Sequence, residues 1–187
     1  MDKVRHPVIS SFLEYIKDVR RYSSHTIRSY NHDLKDYHSF CKSFDTEQDF
    51  IDLDHTAIQS YLQQLSRKGL SAKTLARRLA SIKSLYKYMV INNLVEVNIA
   101  RFVKTPKIDQ ELPHYLSLKE AKDFLQLPTG NDEKALRDCL ILELFYATGI
   151  RISELIKIQI SDIRLEEGII HILGKGSKER IVMIGSE

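Results

Sequence analysis

The sequence predicts a mainly α-helical protein with a small β-sheet confined to its C-terminal end. Three observations carry that prediction. Apolar residues recur at three- and four-residue intervals through the first hundred positions, in four segments that no glycine or proline interrupts. The period changes near residue 168, where two β-branched runs flank a glycine-rich tip. Between these regions, residues 101–113 (RFVKTPKIDQELP) hold two prolines, three bases and little periodicity, the pattern of an interdomain linker. A chain of 187 residues has room for two small domains, here 1–100 and 114–187.

Each element has a local cause. The first helix follows Pro7, a favourable first-turn residue, with Val8, Phe12, Tyr15, Ile16 and Val19 at helical spacing. A second runs from Ser24 or His25 to about Cys41, with Ile27, Tyr30, Leu34 and Tyr37 on one face. A third follows Asp54 as N-cap, carries Ile58, Tyr61, Leu62 and Leu65, and stops at Gly69. The fourth is the longest, from Ser71 as N-cap to roughly Asn92. Short loops between such helices make neighbours antiparallel in a compact bundle. Beyond the linker, Ser117 and Glu120 form a capping box that opens a helix through about Gln126. Further helices are expected over 133–147, ending before Gly149, and over 152–158. Residues 168–173 (GIIHIL) and 180–184 (RIVMI) then read as a β-hairpin. A few helices and a two- or three-stranded sheet make a thin core for the last 75 or so residues.

Composition excludes several classes. With 43% apolar and 28% charged residues the chain is neither disordered nor fibrous. Cys41 and Cys139 stand alone and far apart, without metal-ligand spacing, so neither a disulfide scaffold nor a structural metal site is expected. The longest apolar run, Cys139 to Ile150, is 12 residues and contains Glu143, too short and too polar for a bilayer. No signal-peptide pattern opens the chain. These features fit a soluble, cytoplasmic protein.

The net charge of +3 conceals an asymmetry. Residues 1–110 hold 18 Lys and Arg against 12 Asp and Glu, and residues 111–187 hold 10 against 13. From Arg67 to Lys107 there are ten bases and one acid, Glu96, which points to a polyanionic partner. Basic runs in general are more often a solvated helix face. Here the helix from Ser71 also sorts its chemistry. At 100° per residue, Leu75, Leu79, Ile82, Tyr86 and Met89 form the core stripe. Lys73, Arg77, Ser84 and Lys87 lie about 200° away, a front suited to a DNA major groove. Arg78 and Lys83 flank that front within reach of phosphates, and the amides around Ser71, Ala72 and Thr74 face outward at the helix start. The rival is a protein–protein module whose basic helix meets an acidic partner.

Three segments carry a family resemblance. Residues 147–155 (ATGIRISEL) resemble the first catalytic box of the tyrosine site-specific recombinases, especially the Xer-type enzymes and related phage and transposon integrases. Residues 174–180 (GKGSKER) resemble the family's GKGxKxR hairpin, and residues 22–30 (YSSHTIRSY) with 71–88 resemble its helical SAM-like core-binding domain. The resemblance implies that domain followed by the N-terminal part of an α+β catalytic domain, with duplex DNA as partner and four recombinase protomers on two sites.

It also implies residue roles. These enzymes attack a phosphodiester with a tyrosine and conserve the bond energy as a phosphotyrosyl link. Arg151 would hold the scissile phosphate, as guanidinium geometry favours. Glu154, one turn on, would orient Arg151, although alone such a pair is more often a surface salt bridge. Lys175 would act as general acid toward the leaving 5′-hydroxyl, although alone it is an ordinary turn lysine. Arg28, Thr74 and Lys178 join Lys73, Arg77, Arg78, Lys83 and Lys87 as DNA contacts. No metal or nucleotide cofactor is needed.

The departures concern activity. After Arg151 the chain has no tyrosine and one histidine, His171, which lacks the family's H-x-x-R spacing. His25-Thr26-Ile27-Arg28 fits that spacing but lies in the helical part, so it is read as a decoy. Asn98-Ile99 replaces the Asn-Pro usual before the linker. The expectation is therefore a recombinase portion, truncated before its later motifs, that binds DNA and cleaves nothing alone. The alternative is a naturally truncated, non-catalytic regulator that occupies recombination sites.

Overall fold

A computed structural model describes residues 6–47, 49–108, 114–174 and 178–184. The chain divides into two units, Met1–Glu111 and Leu112–Glu187.

In the first unit, α1 (Pro7–Asp18), α2 (Ser24–Phe44), α3 (His55–Arg67) and α4 (Ala72–Ile91) follow the expected order. Their starts are set by side chains that accept otherwise unpaired first-turn amides: Ser23 caps α2, Asp54 caps α3 and Ser71 caps α4. His6 caps α1 through Nδ1, which makes its Nε2 the donor to Asp49 at 2.9 Å. Gly69, at φ +80°, lets the chain leave α3 and turn into α4.

The four helices enclose one core. Leu34, Tyr37, Ile58, Tyr61, Leu79, Ile82, Leu85 and Met89 lie at its centre. The α4 stripe is buried as the periodicity predicts. In α1 the buried residues are Ile9, Phe12, Leu13 and Ile16, so the face is rotated from the expected one; Val8 and Tyr15 are only partly covered and Val19 is exposed. The cause is that Ile9 and Leu13 complete a tighter stripe, whereas Val19 lies beyond the last helical residue. A 3-10 turn, Ile99–Phe102, follows, and Asn98 donates its side-chain amide to the Lys83 carbonyl at 3.2 Å. Ala100 and Val103 are buried in this same core. The start of the expected linker therefore belongs to the helical unit, because apolar burial anchors it.

In the second unit, α5 (Leu118–Leu125) opens with the Ser117–Glu120 capping box and α6 (Glu133–Thr148) ends at Gly149, whose φ is +59°. Helix α7 is a single turn, Ile152–Leu155, shorter than the expected 152–158, and a separate 3-10 turn follows at Ile160–Asp162. Strands β1 (Ile163–Arg164), β2 (Ile169–Leu173) and β3 (Glu179–Met183) form an antiparallel sheet in the order β1-β2-β3. Ile170 faces Val182 and Ile172 faces Arg180 across β2 and β3. Among the described residues, Ile150, Ile170 and Ile172 form its buried apolar centre, with Leu144, Phe145, Leu155 and Val182 packed around them. Neither α5 nor α6 has a buried residue, and Leu136, Leu140, Tyr146, Ile156 and Ile160 are exposed. No described helix is long and apolar enough to cross a membrane.

Candidate nucleic-acid interface and phosphate site

The basic helix α4 divides its cations between two environments. Lys73 and Lys87 are exposed, and Ser84 is half-buried beside them. Arg77 is 47% exposed although its guanidinium pairs with Asp33, whose carboxylate is 1% exposed and also accepts from Ser81 at 2.8 Å. The buried acid thus fixes one end of Arg77 while part of the side chain remains in solvent. His25, Thr26, Ser29 and Tyr30 line the adjoining groove between α2 and α4.

Arg78 is placed otherwise. It is 8% exposed, and its Nη1 donates to both Asp36 and the Tyr61 hydroxyl at 2.7 Å. Burial works to lower its pKa, but these two hydrogen bonds outweigh it and the net shift is upward. Arg78 therefore does not reach outward for phosphate as the sequence reading expects. The 100° step to Arg77 turns it inward, where two α2 carboxylates and Tyr61 hold its charge.

Other expected contacts are distributed unevenly. Lys83 is half-buried and its Nζ lies 3.3 Å from the Thr105 hydroxyl. The Thr74 amide donates to the Ser71 cap hydroxyl, which also shares a hydrogen bond with the Thr74 hydroxyl, so that amide does not face outward as expected. Arg28 is exposed on α2 beside a groove lined by Leu13, Glu14, Lys17 and Ile27.

The second unit gathers chemistry at the start of α7. Gly149 ends α6 in the left-handed conformation and delivers Ile150 into the core, which leaves Arg151 at the entrance to α7 with its side chain 71% exposed. Glu154 is 5% exposed and accepts four hydrogen bonds. Two come from Arg151, through its backbone amide at 2.9 Å and Nη1 at 3.0 Å. The other two come from Arg180 on β3, through Nη1 at 3.0 Å and Nη2 at 2.8 Å. The Arg180 guanidinium, then the Arg151 amide, hold the Glu154 carboxyl down at about 2.

The base of the hairpin is tied to this cluster. The Gly174 amide donates to the Lys178 carbonyl at 2.7 Å. A Cβ on Gly174 would stand 3.3 Å from that oxygen, 3.4 Å from Arg180 Nη1 and 3.5 Å from Glu154 Oε1. Lys178 itself is exposed, and Lys175 lies outside the described residues.

Known proteins match both units. The model described as phage integrase, N-terminal SAM-like domain, matches residues 9–93, and that of the phage integrase family matches residues 114–187. The chain is 36% identical over 179 residues to tyrosine recombinase XerC of Thermodesulfovibrio yellowstonii, covering 96% of this chain and 58% of the relative. It is 37% identical over 179 residues to tyrosine recombinase XerD of Staphylococcus saprophyticus, covering 95% and 60%.

The chain belongs to the phage integrase family of tyrosine recombinases.

Its fold agrees with solved members of the family. A λ integrase dimer bound to a COC′ core site superposes with a TM-score of 0.69 at 15% identity, covering 93% of this chain and 48% of that one. XerH bound to its difH substrate in a pre-cleavage complex gives 0.64 at 25% identity, covering 94% and 53%. The chain thus spans 58–60% of the length of these two curated relatives. Within the tyrosine-recombinase frame, the helical unit is the SAM-like domain, and Arg151, Glu154 and Arg180 fall in the part matched by the catalytic-domain model. Two features escape the sequence reading: the Asp33–Asp36 pair that sorts the α4 arginines, and Arg180 as partner of Glu154. Arg180 was visible inside the GKGSKER motif, but nothing local tells which carboxylate it meets 26 residues away. His171 sits half-buried on β2 opposite Ile181, and His25 is exposed on α2.

Proposed function

We propose that this chain is the DNA-binding front portion of a site-specific tyrosine recombinase. The helical unit engages duplex DNA through the exposed cations Lys73, Arg77 and Lys87 of α4, with Arg28 and Lys83 contributing at the edges. The second unit presents Arg151 to the scissile phosphodiester, with Lys175 as general acid toward the 5′-hydroxyl and Lys178 beside it on the DNA.

The observation that carries this reading is the state of Arg151. Its backbone amide and one Nη nitrogen are anchored by a buried carboxylate, while the side chain as a whole is largely exposed. An arginine has five N–H donors in a planar fork, and the anchored geometry leaves most of them for a planar, anionic partner such as a phosphate. A preoriented guanidinium stabilises the charge that develops on the nonbridging oxygens as a nucleophile adds to phosphorus. The matching relatives are named tyrosine recombinases, which supports the reaction class: cleavage and rejoining through a phosphotyrosyl link. In the intact protein the proposed assembly is four protomers on two sites.

No tyrosine follows Arg151 in this chain. The polypeptide on its own therefore binds duplex DNA without cutting it. Binding measured by fluorescence anisotropy should weaken steeply with salt and persist against a heparin control. A nicked suicide duplex should yield no covalent protein–DNA adduct. Absence of duplex binding at low salt overturns the reading, and an adduct formed by this polypeptide overturns the assignment of the nucleophile.

A further inference from the structure

Glu154 is shared by two arginines, and the sharing is unequal. Arg180 meets it with both Nη nitrogens, one to each carboxylate oxygen, at 3.0 and 2.8 Å. Arg151 donates a single side-chain N–H, at 3.0 Å. A fork held by two parallel bonds is the stronger mode, so Arg180 is the main counter-charge of the carboxylate. The cluster of two guanidiniums and one carboxylate then carries a net positive charge, and its more exposed cation is Arg151, at 71% against 38% for Arg180.

We propose that Arg180 is a positioning residue: by neutralising Glu154 in a two-bond fork, it keeps the outer donors of Arg151 free for a DNA phosphate. This inference rests on the reading that Arg151 meets a phosphate. Without Arg180, both Glu154 oxygens turn to Arg151, which closes a neutral pair and loses its pull on the phosphodiester. Gly174 borders the fork. It has no side chain where a Cβ would lie 3.4 Å from Arg180 Nη1 and 3.5 Å from Glu154 Oε1. The same Gly174 donates its amide to the Lys178 carbonyl, so the fork lies beside the backbone link between the end of β2 and the start of β3. The depressed Glu154 carboxyl, held chiefly by Arg180, agrees with this division of labour.

The test measures the salt dependence of duplex DNA binding by this chain. Each phosphate contact contributes a slope of about −0.9 in log K against log salt. Arg151→Ala is expected to make the slope shallower by about 0.9, and R180Q to do the same although Arg180 touches no phosphate. The double variant E154Q/R180Q removes the competing carboxylate and should return the slope to that of the parent. R180K keeps the counter-charge and should also retain the parental slope. A parental slope in R180Q, or a double variant that stays as shallow as R180Q, overturns the proposal. A parental slope in Arg151→Ala overturns the phosphate reading itself and the proposal with it, a result distinct from failure of R180Q alone.

Discussion

Arg77 and Arg78 are adjacent in sequence and chemically identical, yet the structure gives them opposite consequences when removed. Arg78→Met keeps the aliphatic length and deletes the guanidinium that donates to Asp36 and Tyr61 from an 8% exposed position. Losing hydrogen bonds to a charged group in such a site costs about 1.5–3 kcal/mol. For a domain near 100 residues, that lowers the melting temperature by roughly 4–8 °C per kcal/mol. Its effect on DNA affinity should be confined to stability. Six cations on α2 and α4 are phosphate candidates by sequence: Arg28, Lys73, Arg77, Arg78, Lys83 and Lys87. From these two helices alone, all six would contribute about −5.4 to the salt slope; the burial of Arg78 leaves five, hence about −4.5. The assay pairs thermal melting with anisotropy titrations of duplex DNA over a range of salt. Arg78→Met should melt early with its slope intact, and Lys73→Ala should melt normally with a slope shallower by about 0.9. A shallower slope in Arg78→Met, without loss of folding, refutes the inward assignment of that side chain.

Other outcomes follow from packing and protonation. Leu79→Ala, at a fully buried α4 position, should lower unfolding free energy by about 2–5 kcal/mol in urea titration, and a loss under about 1 kcal/mol would contradict its central place in the core. His38 has its pKa lowered, first by burial and then by Lys42 and His6, so it folds neutral. The unfolded chain binds the proton from the ordinary histidine range downward, near pH 6.5, and the folded chain only lower still. Stability should therefore fall on acidification below about pH 6.5, and His38→Gln should flatten that part of the melting profile. Gly149→Ala meets no atom within 4 Å, so its cost is the left-handed backbone alone, about 1–2 kcal/mol by chemical denaturation.

What was legible in the sequence is what short-range physics controls. The caps at Asp54, Ser71 and Ser117 act within three residues, and the buried stripe of α4 follows from a period of 3.6, whereas the cap of α2 is Ser23, one residue before the expected start. The motifs around Arg151 and Gly174 were likewise contiguous and readable, and they led to the family. Strand β1, two residues long, carries no period to detect and is defined only by its pairing with β2. The rotation of α1 was settled by which side of the helix the other three helices close upon.

Sequence alone carried the order of the helices, the caps at Asp54, Ser71 and Ser117, the change of period near residue 168 and the presence of Arg151 and Glu154 one turn apart. Tertiary structure alone decided which cations face water. Charge is a property of a residue, but exposure and pairing belong to groups brought together by the fold. Asp33 lies 44 residues from Arg77, Asp36 lies 42 from Arg78, and Arg180 lies 26 from Glu154. Where such a carboxylate is buried, its need for a counter-charge fixes the nearest guanidinium, and that requirement separates a structural arginine from one that remains available to DNA.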